Sequence, residues 1–181
     1  MSNLNRIYQE KIVPKFLEKG YKNKMAVPKV IKVVINIGIG KQNSNPGYKQ
    51  EVAANLAKIT GQKPAIRKAR KAISGFKVKI GDEVGLIVTL RGQKMYDFLQ
   101  KLANITLPRI RDFRGIDPKS IDEHGNLNLG IKEHIVFPEI SHEVTELHGL
   151  GITINTNAKS PDAAQQLLEA LGFPFKKEKN G

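Results

Sequence analysis

The sequence contains no cysteine, which excludes disulfides, thiolate zinc sites and thiol redox chemistry and fits a reducing compartment. It also lacks long hydrophobic runs: no stretch approaches the about 18 apolar residues of a membrane span, and the opening MSNLNRIYQEK has no apolar signal core. A cytoplasmic protein with no membrane partner is expected. No internal repeat, low-complexity tract or interdomain linker is present. Acidic residues are the remaining shortage, 17 Asp and Glu against 30 Lys and Arg, for a net charge of +13. So large an excess implies a polyanionic partner. With 40% hydrophobic residues in 181 positions, the chain can bury about 70% of its unfolded surface. The charge therefore sits on a folded surface, and one domain spanning 1–181 is expected.

The charge is uneven. Residues 1–33 hold eight bases and two acids, residues 61–94 nine bases and two acids, so these segments equal the whole surplus. Residues 115–150 hold two lysines and seven acids. A molecule with a basic and an acidic region can hold a phosphate backbone with one and meet a basic partner with the other, as suits a part of a larger assembly.

Apolar spacing predicts a helix from Leu4 to Leu17, bent at Pro14 and stopped at Gly20. The β-branched run from Val30 to Ile39 predicts a central strand, and Val52, Leu56 and Ile59 a second helix stopped at Gly61. Ile73 to Ile80 predicts a strand that turns at Gly81-Asp82 and pairs with Val84 to Leu90. Met95 to Ile105 predicts a helix closed before Pro108, and Arg109 to Gly130, rich in Gly, Asp and Asn, a long loop. A last strand spans Ile152 to Thr156, and a last helix runs from Pro161 to Leu171 between the cap Ser160 and the stop Gly172. The order implies an α+β fold, a mixed and mostly antiparallel sheet with helices on one face and the other face free for RNA.

The strongest local feature is GQKPAIRKARKA at Gly61 to Ala72, where Lys63, Arg67, Lys68, Arg70 and Lys71 fall within nine positions. An extended basic segment can follow successive phosphates. If it is a strand, Lys63, Arg67 and Lys71 share one face, and Lys68 and Arg70 the other. Asn36, Gln62, Thr89 and Arg91 lie at or beside predicted strands, where hydrogen-bonding groups can reach 2′-hydroxyls and base edges. Asn36 is the most informative, because an amide in a β-branched run needs a partner if it is buried.

Other chemistries fare poorly. GIGK at Gly38 to Lys41 is not a phosphate loop, since Ile35 stands where the first glycine of that motif is needed. SGFKVKI at Ser74 to Ile80 has a lone Phe76 and cannot form the stacking platform of single-strand RNA readers. HEVTE at His142 to Glu146 puts Glu where a zinc protease needs its second His, and His148 is off the shared helical face. No nucleophile or acid pair stands in a catalytic context, and no cofactor is implied. A free nucleic-acid chaperone or regulator of the same fold remains as an alternative to a part of a larger assembly, separable by whether the protein sediments with such an assembly.

The blocks VPKVIKVVINIGIG, LAKITGQKP, VTLRG, LPRIRDFRG, NLNLGIKE, IVFPEI and LLEALGFPF, in this order, resemble the bacterial large-subunit ribosomal protein five family, the 5S-rRNA-binding family, over nearly the whole chain. Leu56 to Ala72 is similar to the family signature, with Arg67 where a small hydroxyl or thiol residue is usual. The resemblance implies a non-enzymatic protein of the cytoplasmic ribosome whose sheet face docks on 5S rRNA through Asn36, Gln62, Thr89 and Arg91. It implies partners in 23S rRNA and other large-subunit proteins. It further implies a loop, Ser74, Gly75, Phe76, Lys77 and Lys79, that approaches peptidyl-site tRNA. A bridge to small-subunit protein thirteen is also implied, with Arg109, Arg111, Arg114, Glu143 and Glu146 as candidates.

Overall fold

The computed structural model describes residues 3–40, 46–76, 78–140 and 147–176. Its first helical segment consists of α1 (Asn3–Ile7), a π-turn (Tyr8–Ile12) and α2 (Val13–Glu18). Pro14 lies at the start of α2, and the Val13 N–H donates to the Tyr8 carbonyl five residues back. A proline has no N–H to give and its ring crowds the carbonyl four residues earlier, so widening the ladder by one residue lets the helix continue. Ile12, Val13 and Phe16 are buried beyond the turn.

The same device corrects the expected stop before Pro108. Helix α4 (Gly92–Lys101) passes into a π-turn (Leu102–Thr106), where Leu107 N–H donates to Leu102 O, and on through Pro108 as α5 (Leu107–Arg109). Met95, Phe98, Leu99, Leu102 and Leu107 are buried along this path. Continued burial of the apolar stripe outweighs the bond lost at the proline.

Five strands form one sheet in the order β2-β3-β1-β5-β4. Strand β1 (Val30–Gly38) buries Val33, Ile35 and Ile37 and exposes Asn36 and Gly38, the two-residue alternation of a strand covered on one face. Helix α3 (Pro46–Thr60) buries Val52, Leu56 and Ile59 and ends at Gly61, whose φ of +62° suits glycine.

The partner of β3 (Glu83–Leu90) is β2 (Ala65–Lys68) in an antiparallel register with Ala65 opposite Ile87, and not the expected Ile73 to Ile80. That segment instead holds a 3₁₀ turn (Ser74–Phe76) and a single bridge between Ile73 and Val78. Ile73 and Ile80 are exposed. The charged β2 residues tolerate an edge position, where both faces meet water, better than an apolar strand would.

The stretch expected to be a long loop is ordered by short polar side chains. Asp117 caps a 3₁₀ turn (Pro118–Ser120), and β4 (Leu127–Ile131) follows. β4 escaped notice because it is short and contains Gly130, in a context that reads as turn. Strand β5 (Leu150–Thr156) buries Leu150, Ile152, Ile154 and Thr156. Helix α6 (Pro161–Ala170) begins where Ser160 Oγ accepts from the Ala163 N–H at 3.3 Å, and Gly172 follows with a φ of +93°. Both ends are as expected.

The chain divides into two compact units, one of Met1–Val33, Leu90–Leu129 and Thr153–Gly181 and one of Val34–Thr89 and Gly130–Ile152. The first has its core in Phe16, Val33, Phe98, Leu99, Leu127 and Leu167, and the second in Ile35, Leu56, Leu86, Phe137 and Ile152. Each such side chain contributes about 1.5–3 kcal/mol on burial.

Candidate RNA-binding surface

The open parity of the strands in the second unit carries Asn36 on β1, Ile87 and Thr89 on β3, and Gly151 on β5, while Ile35, Ile37, Leu86, Val88, Leu150 and Ile152 are buried on the other parity. Asn36 is exposed, and its amide makes no hydrogen bond among the described residues. Gln62 is held in place at both ends. Thr60 Oγ1, which donates to Leu56 O at 2.7 Å, accepts from the Gln62 backbone N–H at 3.3 Å. The Gln62 side-chain Nε2 donates to Thr89 O at 3.2 Å. Its amide oxygen makes no hydrogen bond among the described residues, so an acceptor stands ready beside β3. Thr89 is half-buried. Arg91, exposed and extended, follows β3 and precedes α4; it belongs to the other unit.

Lys63, Arg67, Lys68, Arg70 and Lys71 are all exposed, and none is paired with a carboxylate among the described residues. Lys49 shows the contrast: its ammonium pairs with Glu83, and both side chains are about 30% exposed. A cation already paired gains little from a phosphate, whereas an unpaired one exchanges only water and counterions. The strand on which the parity grouping depends covers only Ala65–Lys68, so the grouping reaches Arg67 and Lys68 alone, and the register with β3 shifts between these two. Beyond them, Ala69 still pairs through its N–H to Asp82 O at 2.8 Å. Arg70 and Lys71 then line a groove of about 1160 Å³ with Gly38, Gly40, Ile73 and Val84.

Ser74, Gly75 and Phe76 form the 3₁₀ turn of the β2–β3 connection. Lys79 is exposed, its backbone N–H donating to Asp82 Oδ2 at 2.7 Å; Lys77 lies outside the described residues. Arg109, Arg111 and Arg114 are exposed around a turn in which Asp112 has a φ of +56°. That turn is anchored where Ile116 N–H donates to Pro174 O at 2.8 Å and Lys176 N–H to Ile116 O at 2.9 Å. Glu143 and Glu146 lie outside the described residues, as does His142.

His148 does not stand at a surface. It is buried, stacked on the buried His134 with ring centroids 3.6 Å apart and planes 14° from parallel. The His148 backbone N–H donates to His134 Nδ1 at 3.3 Å, which fixes that nitrogen as an acceptor. Burial pushes the His134 pKa down, with Glu51 pulling the other way.

The sequence reasoning missed a polar group in the first unit. Thr153 Oγ1 donates to Asn128 Oδ1 at 2.9 Å, and Asn155 Nδ2 donates to Asn126 Oδ1 at 3.1 Å. Asp122 accepts from the backbone N–H of His124 and Asn126 and from Asn126 Nδ2, at 2.8–3.0 Å. Desolvation raises the Asp122 pKa, but these bonds outweigh it and hold the carboxyl below its ordinary value. The alternation of Thr153 and Asn155 with Ile152 and Ile154 was the signal that pointed to this group.

Unpaired cations, the open Asn36 amide and the open Gln62 amide oxygen suit a protein that meets polyanions. Two family descriptions match the chain, "Ribosomal protein L5" over residues 23–79 and the C-terminus of the same ribosomal protein family over residues 83–175. The chain is 52% identical over 177 residues to the large ribosomal subunit protein uL5 of Halothermothrix orenii, covering 97% of this chain and 99% of the relative. It is 51% identical over 179 residues to that of Dictyoglomus turgidum, with 98% and 100% covered. With that of Paraburkholderia phymatum the identity is 47% over 178 residues, with 97% and 99% covered. The chain belongs to the uL5 family, structural and non-enzymatic constituents of the large ribosomal subunit.

Proposed function

We propose that residues 1–181 act as one 5S-rRNA-binding domain that helps attach this RNA to the large subunit, where the protein also touches 23S rRNA and neighbouring proteins. The observation that carries the proposal is the run of five exposed, unpaired cations, together with the Asn36 amide and the Gln62 amide oxygen, which make no hydrogen bond among the described residues. Lys63, Arg67, Lys68, Arg70 and Lys71 hold phosphates, which gives affinity without sequence preference. Asn36, Gln62, Thr89 and Arg91 contact sugar hydroxyls and base edges, which selects a folded RNA shape. The loop of Ser74, Gly75, Phe76, Lys77 and Lys79 approaches peptidyl-site tRNA. Arg109, Arg111 and Arg114, with Glu143 and Glu146, face small-subunit protein thirteen.

Binding of the purified protein to 5S rRNA, against a scrambled RNA of equal length, tests the central claim. Preference for 5S rRNA is expected, with affinity falling as salt rises at a log-log slope of roughly −4 to −5 for about six phosphates. Equal binding to both RNAs would mean a non-specific basic surface.

A further inference from the structure

Gly151 lies on β5, next to β1 in the sheet, and its backbone conformation is open to any residue. Its lack of a side chain must therefore be explained by what stands beside it. A Cβ built at Gly151 would meet Asn36 Oδ1 at 2.6 Å, Asn36 Cγ at 3.3 Å and Asn36 Nδ2 at 3.4 Å. All three nearest atoms belong to one exposed side-chain amide. The Asn36 amide, oxygen first, thus stands in the place a side chain at 151 would occupy, and no hydrogen bond among the described residues holds it there.

Two other glycines show what sets this one apart. A Cβ at Gly85 would stand 3.0 Å from the Ile37 carbonyl oxygen, and at Gly115 one would stand 2.8 Å from the Lys176 backbone nitrogen. In those places the obstacle is main chain, which cannot yield without disturbing the fold. At Gly151 the obstacle is the end of a side chain that can rotate away into solvent. The fold tolerates a methyl group there, but the position of the amide does not.

We infer that Gly151 is a positioning residue for RNA recognition: its bare Cα leaves the space that the Asn36 amide occupies beside β5 and so sets where that amide stands on the open sheet face. The inference rests on the 5S-rRNA function proposed above. A substitution at 151 acts through Asn36 and not through stability. An amide lifted off the sheet presents its edges at the wrong height, and hydrogen bonds to a folded RNA tolerate little displacement.

A double-mutant cycle on the full chain tests this. Asn36→Ala, Gly151→Ala and the double variant are compared with wild type for binding to 5S and scrambled RNA, with the thermal midpoint of each. Gly151→Ala is expected to keep the wild-type midpoint, to shift the Asn36 side-chain amide signal in a ¹H–¹⁵N spectrum, and to lose about tenfold in preference for 5S rRNA. In the Asn36→Ala background the same change is expected to cost nothing further. Additive losses would mean that Gly151 acts independently of Asn36 and would overturn the inference. So would a Gly151→Ala protein that no longer folds, or one whose amide signal stays in place. If Asn36→Ala itself keeps the full preference, the sheet-face function fails first and the positioning role with it, whatever the amide signal does.

Discussion

The two edge strands of the sheet solve the same problem in opposite ways. β2 is exposed along its whole length and carries Arg67 and Lys68, with no carboxylate partner for either among the described residues. β4 is bordered by groups that satisfy one another: Asp122 binds the Asn126 and His124 backbones, Asn126 binds Asn155, and Asn128 binds Thr153. Both regions are polar, and polarity alone does not separate them. The difference lies in which groups still lack partners. A region that has spent its hydrogen bonds on itself is stable and has little left for a ligand. The cations of β2 have no carboxylate partner among the described residues and repel one another, which leaves them open to an anionic ligand.

This contrast can be broken most decisively at β2. Replacing Arg67, Lys68, Arg70 and Lys71 together by Gln is expected to weaken 5S rRNA binding about 100-fold near physiological salt and to reduce the salt slope by about 3, with unfolding unchanged or slightly harder. RNA affinity unaffected by that change would remove the distinction altogether. In the β4 region the pattern should reverse. Asp122→Ala leaves the His124 and Asn126 N–H groups without their acceptor and is expected to cost roughly 1 kcal/mol in denaturant unfolding, with RNA affinity changed less than about 3-fold.

Acid should separate the two units more gently. His134, with its pKa pushed down in the folded state, binds fewer protons there than when unfolded, so its contribution to stability is present above the ordinary value of 6.5 and is lost as pH falls below it. Asp122, also held down, keeps its contribution above the ordinary 3.8 and loses it as pH falls lower still. Unfolding measured from pH 7.5 to 5.5 should therefore show a decline that His134→Phe flattens and Asp122→Ala does not. A slope unchanged by His134→Phe would show that the buried histidine stack does not govern it.

Much of the fold follows from local pattern. α3 and α6 are bounded by residues whose chemistry acts within a turn of the chain, namely Gly61, Ser160 and Gly172. The failures share a cause in tertiary choice. Nothing local says that β3 prefers Ala65 to Lys68 over the more apolar Ile73 to Ile80, because an edge position rewards charge that a strand pattern counts against. Nor does local pattern say that Pro108 is absorbed by a π-turn, since that depends on the burial waiting beyond it at Leu107. At the candidate site, the cations were legible because they are crowded together, and Asn36 because it interrupts a β-branched run. Gly151 was not, because its meaning depends on a residue more than a hundred positions earlier in the chain. The Asn128–Thr153 and Asn126–Asn155 pairs were missed for the same reason.

The anchoring of Ile116 to the Pro174–Lys176 segment also sets a timetable. During synthesis, residue 116 is made about sixty residues before the partner that ties it down. The first unit, which joins the start of the chain to residues 153 and beyond, has to wait longer still. The second unit needs nothing past Ile152. On a growing chain, the unit that bears the cations and the open amides is therefore the first able to close.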